Sequence, residues 1–219
     1  MGVGSLDQRR STCVLDTSSL KHIARLEMGG KALLQLAQET LDIMIPDKVR
    51  AEVTRNYVNR DKHIWEQAHF ALKTLSPKTR QADSDSVRFI GEWIQHHYKL
   101  GLEIPIAHEI QDGEKHCAAL AHENSLDESG LLSITIVEDK KARIAINAFF
   151  RRHVVGVAAS TPDLILLLLN RIARVTKDQA IRTLNEFYNN YTDDPKCPLK
   201  PGYLDDIATC WRDSRRADQ

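Results

Sequence analysis

The sequence predicts a three-layer α/β/α fold with a central parallel sheet of about four or five strands and several added helices. Two observations support this prediction. Short apolar segments, some rich in β-branched residues, alternate along the chain with longer segments of helical periodicity. Two of the apolar segments end directly in an acidic residue, at the point where a parallel strand would pass into its crossover helix. We therefore expect a parallel sheet covered by helices on both faces.

In the first half of the chain we expect a strand over 12–15, a helix ending at Gly29-Gly30, a helix over about 31–40 and a strand over 41–45. A helix then opens at Pro46, and at least two more helices, separated at Ser76-Pro77, lie between about 59 and 102. Thr17 or Ser18 can cap the first helix, because either hydroxyl accepts a hydrogen bond from the first turn. Pro46 suits the first turn of its helix, where the N–H group that proline lacks has no helical acceptor.

The second half predicts, in order, a helix over about 112–124, a strand over 131–137, a helix over about 140–150, a short strand over 153–157, a helix opening at Thr161-Pro162, a further helix that includes 184–187 and a last helix containing Trp211. These elements divide into a domain over about 1–190, with a helical segment at about 59–105, and a C-terminal tail over 191–219.

Composition limits the classes of function. Lys and Arg together number 30 and so do Asp and Glu, so the net charge is zero and any nucleic-acid binding must use local basic patches. The four cysteines lack CxxC spacing, which is typical of reduced thiols rather than a zinc or disulfide framework. The run from Leu164 to Leu169 is much too short to cross a membrane, and the first residues form no apolar signal region. We expect a cytoplasmic protein without membrane contact.

Four acids carry the functional prediction: Asp16 and Asp139 at the ends of predicted strands, and Glu52 and Glu114 on helices that would face them. The carboxyl ends of parallel strands form the usual ligand crevice of such sheets. Carboxylates gathered there would repel by roughly 4 kcal/mol per close pair at an effective dielectric near 20. A hard divalent cation relieves this repulsion, which predicts a metal site.

Each acid also has a simpler interpretation. Asp16 can be an ordinary helix N-cap, and Glu52 can be an exposed surface glutamate. Glu114 can be an acid favoured by the helix dipole, although Cys117, Ala118 and Ala121 place it on a small apolar stripe that should face the sheet. Glu138 can be an acid that supports the site or a solvated neighbour of Asp139.

Basic residues follow the last acid pair. Lys140, Lys141 and Arg143 can hold a phosphate backbone beside the metal. They can equally form a solvated basic helix start, and Arg143 can instead pair with Glu138 or Asp139. Arg151-Arg152-His153 is a second basic cluster with the same two interpretations.

In this order and spacing, the motifs resemble those of PIN-domain nucleases over about residues 12–173: Val14-Leu15-Asp16-Thr17-Ser18, Ile45-Pro46-Asp47-Lys48-Val49-Arg50-Ala51-Glu52-Val53, Gly113-Glu114-Lys115-His116-Cys117-Ala118-Ala119-Leu120-Ala121 and Ile136-Val137-Glu138-Asp139-Lys140-Lys141-Ala142-Arg143. The resemblance is to a branch with a Gly-Glu third motif and a paired-acid fourth motif. It implies that Mg²⁺ or Mn²⁺ is held by Asp16, Glu114 and Asp139, with Glu52 acting through water or orienting the nucleophile.

The resemblance implies an endoribonuclease that acts on single-stranded or structured RNA. It is also consistent with the toxin of a toxin–antitoxin pair. Its partners would then be RNA, an antitoxin protein and a second copy of the chain, paired through a sheet edge or a helix. The alternative is a non-catalytic nucleic-acid-binding or protein-interaction module with the same fold. A phosphatase or phosphotransfer enzyme is disfavoured, because Asp16-Thr17-Ser18 lacks a second acid two residues on and no glycine-rich phosphate loop precedes a helix.

Overall fold

A parallel sheet forms the centre of the structure, a computed structural model that describes residues 10–74, 78–99, 110–126 and 132–191. Within these residues the sheet has five strands in the order β5-β4-β1-β6-β7. Their bounds are β1 Thr12–Leu15, β4 Asp42–Pro46, β5 Lys78–Arg80, β6 Ser133–Ile136 and β7 Gly156–Ala159. Two further strands, β2 (Glu27–Met28) and β3 (Lys31–Ala32), pair antiparallel in a separate hairpin.

Helices flank the sheet, which confirms the predicted α/β/α architecture. Within the described residues they are α1 Thr17–Ile23, α2 Leu33–Thr40, α3 Asp47–Asn59, α4 Lys62–Thr74, α5 Ser84–Lys99, α6 Asp112–Leu126, α7 Lys140–His153, α8 Thr161–Arg171 and α9 Lys177–Tyr191. No helix in these ranges is both long and apolar enough to cross a membrane.

The central strand β1 sets the position of the site. Cys13 pairs with Ile43 of β4 on one side and with Ile134 of β6 on the other, both in parallel register. Val14 and Leu15 are fully buried, as expected for a strand that is covered on both faces. The chain runs outward from β1 through β4 to β5 and later through β6 to β7, so the strand order reverses between β1 and β6. Ligands of open α/β sheets bind at the carboxyl ends of such a switch point.

The first predicted helix was too long. Helix α1 ends at Ile23, and Gly29-Gly30 form the turn of the β2–β3 hairpin. Both glycines have positive φ, 64° and 76°, which a two-residue hairpin turn of type I′ requires at both positions. The hairpin strands are only two residues long, so they produce no alternating pattern in the sequence.

Two other predictions also needed correction. The segment 59–105 contains helices α4 and α5 as predicted, but it also contains β5, whose residues are all exposed and polar. The strand predicted over 153–157 begins instead at Gly156, because α7 continues to His153 and ends at Val154 in the left-handed conformation. Ser76-Pro77 and the tail with its predicted helix around Trp211 lie outside the described residues.

The last two strands approach closely. Gly156 has φ +152°, and a Cβ on it would lie 1.8 Å from the carbonyl oxygen of Ser133 on β6. On the outer side of β7, the Asn147 side chain of α7 donates to Ala158 O and accepts from Ala158 N, both at 2.8 Å. One side chain thus satisfies both backbone groups of Ala158, as a neighbouring strand would.

Candidate functional site

Asp16 lies at the carboxyl end of β1, where its backbone N–H donates to Ile136 O of β6 at 3.1 Å. Its side chain is 5 % exposed and accepts a hydrogen bond from Ser19 N at 2.6 Å. Asp16 is therefore the N-cap of α1, and the expectation that Thr17 or Ser18 caps this helix was wrong. An aspartate that directly follows a strand has the extended backbone that an N-cap requires.

Glu52 is held near Asp16 by Thr17, the residue that follows Asp16 in the chain. Thr17 Oγ1 donates to Glu52 Oε2 at 2.6 Å, which ties α3 to the start of α1. The same carboxylate lies against the first turn of α6, since a Cβ on Gly113 would be 3.0 Å from Glu52 Oε2. Because Gly113 has no Cβ, the Glu52 carboxylate can approach α6 at the residue directly before Glu114.

Glu114 is buried in the first turn of α6, with 7 % of its surface exposed, and accepts from Gln111 N at 2.9 Å. One turn later, Cys117 Sγ donates to Leu15 O at 3.5 Å. Burial raises the pKa of the Cys117 thiol well above its ordinary value, and the charges of Asp16, Glu114 and Glu52 raise it further. These three predicted site acids therefore lie close enough to act electrostatically on the same buried thiol.

Glu138 is the fourth acid that the structure brings to this place. It is 1 % exposed, and its Oε1 accepts from Thr161 Oγ1, from Thr161 N at 3.0 Å and from Ser19 Oγ at 3.2 Å. Burial and, to a smaller extent, the charge of Asp16 raise the Glu138 pKa to about 7, against the opposing effects of the Thr161 hydrogen bonds and Arg143. Among the described residues, Glu138 Oε2 has no hydrogen-bond partner.

His22 borders this acid, with its Nδ1 4.0 Å from Glu138 Oε1. Burial lowers the His22 pKa to about 3, with smaller contributions from Lys21 and Arg25, so the imidazole is neutral at neutral pH. It therefore supplies no positive charge to offset Glu138.

Asp139 lies between the end of β6 and the start of α7, as the sequence predicts. It is half-buried, and its Oδ1 accepts from Lys141 N at 2.8 Å and from Ala142 N at 3.1 Å, which makes it the N-cap of α7. The acid beside Asp16 in the structure is Glu138, which the sequence left between two interpretations. The sequence did contain a signal, because aspartate is strongly preferred at N-caps and glutamate is not.

Arg143 contacts the backbone at the end of β6. Its Nη1 donates to Val137 O at 2.7 Å and to Glu138 O at 2.8 Å. These bonds favour the structural interpretation of Arg143 over the predicted grip on phosphate. Lys140 and Lys141 are exposed at the start of α7, where a substrate backbone could reach them.

Asp16, Glu52, Glu114 and Glu138 thus converge at the carboxyl ends of adjacent strands. In the described ranges, no three His, Cys, Asp or Glu side chains are arranged so that they could already hold a metal ion. Their oxygens instead accept hydrogen bonds from Ser19, Thr17, Gln111 and Thr161. No family model and no curated protein matches this chain.

Proposed function

We propose that this protein is a metal-dependent endonuclease that hydrolyses phosphodiester bonds in RNA, with Asp16, Glu52, Glu114 and Glu138 as its active-site acids. The observation that supports this most is their convergence at the point where the strand order reverses. The choice of RNA as substrate rests on the resemblance of the four motifs to PIN-domain nucleases. More specifically, we propose that the protein is the toxin of a toxin–antitoxin pair and that its partner is an antitoxin protein.

The donor chemistry of these acids suits Mg²⁺ or Mn²⁺, which prefer carboxylate oxygens. Glu138 Oε2 is buried and has no hydrogen-bond partner among the described residues, so it has capacity for a ligand. The raised Glu138 pKa reflects the cost of a second buried charge near Asp16, which a cation would reduce. When bound, such an ion would polarise the phosphodiester and lower the pKa of an attacking water.

The surrounding residues would then have distinct roles. Thr17 fixes one oxygen of Glu52, which leaves the other to act through water or to orient the nucleophile. Arg143 holds the chain that carries Glu138. Lys140 and Lys141 would hold the RNA backbone, and Asp139 remains a further candidate metal ligand beside them.

A non-catalytic nucleic-acid-binding or interaction module is the second candidate. One observation favours it: Asp16, Glu52 and Glu114 each accept a hydrogen bond from the protein itself. Acids satisfied in this way could serve folding alone. The two candidates differ in whether a divalent cation binds and whether RNA is cut.

The decisive experiment uses Asp16→Asn. Asparagine caps helices as well as aspartate does, so the variant should fold normally. We expect Mn²⁺ or Mg²⁺ to raise the melting temperature of the wild type, and the variant to lose both this increase and the cleavage of labelled single-stranded and structured RNA. Asp61→Asn is the matched control, because Asp61 also accepts from a helix-start N–H (His63 N, 3.1 Å) but is exposed outside the site.

Three outcomes count against the proposal. Absence of a metal-dependent shift in melting temperature and of metal binding by calorimetry in the wild type would remove the metal site. Metal binding without RNA cleavage would favour the non-catalytic module. Cleavage of matched DNA in preference to RNA would retain the nuclease but correct its substrate.

A further inference from the structure

A cluster of aromatic and histidine rings joins α5 to α6 and α7, away from the acidic site. We call it the histidine–aromatic cluster, and its members are Phe89, Trp93 and His97 on α5, His122 on α6, and Phe149 and His153 on α7. His122 lies two turns beyond Glu114 on α6, roughly 12 Å along the helix at 1.5 Å per residue. Nothing in the proposed nuclease function uses these side chains.

His153 is the centre of the cluster. Its ring stacks on Phe149 at 4.3 Å between centroids and meets Phe89 at 5.7 Å, Trp93 at 5.8 Å and His122 at 5.9 Å. Trp93 also stacks on His97 at 3.7 Å. Besides His97 of α5 itself, the contact between α5 and the two helices beneath it therefore includes the imidazole rings of His122 and His153, which can each acquire a charge.

The described surroundings offer these imidazoles little to accommodate a proton. His122 Nδ1 and His153 Nε2 are buried, and neither has a hydrogen-bond partner among the described residues. Titratable or cationic groups act on His153 from each helix of the cluster: His97 on α5, His122 on α6 and Arg152 on α7. Further out, His96 contacts His97, and Lys115 of α6 lies against Gly91 of α5.

The acid that acts on His122 is Glu123, and it is already engaged. Glu123 Oε1 accepts a hydrogen bond from Asp83 N at 2.8 Å, just before α5 begins. Asp83 in turn uses its own carboxylate to cap α5 through Asp85 N and Ser86 N. On the outer face of α5, Arg88 pairs with Asp85 and Glu92. Protonation of both His122 and His153 would therefore place two positive charges next to each other in a half-buried contact.

We propose that the histidine–aromatic cluster is an acid-sensitive contact, in which protonation of His122 and His153 weakens the docking of α5 on α6 and α7. The inference is independent of the nuclease proposal, since it concerns other residues and another part of the fold. It predicts a local change, confined to α5 and its contact surface.

The pKa directions agree with this geometry. Burial lowers the His122 pKa, and Glu123 opposes the effect. Burial also lowers the His153 pKa, with further lowering by His122, Arg152 and His97. A histidine whose pKa is lower when α5 is docked takes up protons more readily when α5 is released. The docked state is thus favoured above the ordinary histidine pKa, about 6.5, and loses stability as pH falls below it.

Hydrogen exchange of the full chain tests this inference. We expect the opening of α5 amides, corrected for intrinsic exchange rates, to increase between pH 7.5 and 5.5 by up to about tenfold per histidine, because pH 5.5 lies about one unit below the ordinary histidine pKa. The β1 and β4 amides should show no such increase. In His122→Phe/His153→Phe, which retains the rings but cannot titrate, the α5 increase should disappear. His63→Phe is the control, because His63 is exposed on α4.

If the double variant fails to fold, the wild-type protein alone still tests the inference. Nuclear magnetic resonance titration of the wild-type histidines gives the His122 and His153 pKa values directly, and we expect both below 6.5. Ordinary or raised values for both would overturn the proposal. So would α5 opening that is unaffected by pH in the wild type, or equally affected in the wild type and the double variant.

Discussion

Glu138 and Asp139 are adjacent acids that have different environments in this fold. Asp139 has a short side chain that reaches two backbone N–H groups of α7, and it remains half exposed. Glu138 reaches into the interior, where Thr161 and Ser19 donate to it. Because of this difference, the two residues should respond differently to the loss of their charge.

Replacement of Glu138 by Gln should remove a pH dependence of folding. The pKa of Glu138 is about 7 in the folded protein against an ordinary 4.5, so the folded state binds this proton more tightly than the unfolded chain. The resulting stability is complete below about pH 4.5 and is lost as pH rises through 7, on the order of 3 kcal/mol for an isolated group.

Urea unfolding at pH 5 and pH 8 in a metal chelator measures this effect. Relative to the wild type, Glu138→Gln should be more stable at pH 8 and little changed at pH 5, because glutamine stays neutral. Asp139→Asn is the matched control, since asparagine retains the cap. An equal loss of stability between pH 5 and 8 in wild type and Glu138→Gln would contradict the assignment.

Val154 is the second informative single residue. It ends α7 at φ 54° and ψ 40°, a left-handed conformation that β-branched residues rarely adopt, and its side chain is 73 % exposed. Val154→Gly should therefore raise the free energy of unfolding by about 1 kcal/mol, after allowing for the greater freedom of glycine in the unfolded chain. Thermal unfolding measures this gain. A decrease in stability would mean that the exposed valine contributes packing that outweighs its strain.

At the scale of elements, the sequence predicted the segments with buried apolar patterns and missed those held by backbone pairing alone. Strands β1, β4 and β6 and helices α3, α6 and α8 lie close to where they were expected, because apolar spacing and flanking residues mark them. Strand β5 is three exposed polar residues, and its register with β4 arises only from tertiary pairing.

The candidate site was predictable to a similar extent. Apolar strands ending in acids indicated the sheet edge that gathers Asp16, Glu52 and Glu114. The choice between Glu138 and Asp139 depends on which side chain turns inward at the end of β6, and the contacts of Arg143 depend on the path of that backbone. Such details are set by packing, which one sequence does not reveal.

Strand β7 should depend on Gly156 for its pairing with β6. A Cβ in Gly156→Ala would overlap the Ser133 carbonyl oxygen at 1.8 Å, so the strands must separate or the protein must lose several kcal/mol of stability. Gly30→Ala is the control, because that glycine also has positive φ but nothing lies within 4 Å of its Cβ position. The control should lose only about 1 kcal/mol. Similar losses in both variants by urea unfolding would show that the close approach is unimportant.

At the scale of the whole molecule, both outer edges of the sheet are protected. Strand β5 is short and exposes Lys78 and Arg80, which disfavour pairing with another strand. Beside β7, Asn147 occupies the backbone groups of Ala158. We therefore expect any contact between two copies of the chain to use helical surfaces rather than either edge of the sheet.

Asn147→Ala should expose the edge of β7 and cause concentration-dependent association. The variant loses two hydrogen bonds, at a cost of about 1–3 kcal/mol, and leaves Ala158 N and O available to another chain. Light scattering below the unfolding temperature measures the association, with the exposed Asn59→Ala on α3 as control. A variant that stays as dispersed as the control would show that α7 covers this edge without Asn147.

The protected edges have a consequence for colloidal behaviour. With 30 cationic and 30 anionic side chains, the chain has no net charge near neutral pH, so copies in concentrated solution lack the long-range repulsion that keeps many proteins apart. Resistance to amyloid-like stacking must then come from short-range features such as the Asn147 amide. Chemical loss of that amide, for example by deamidation, should therefore favour precipitation during crowding or storage near neutral pH.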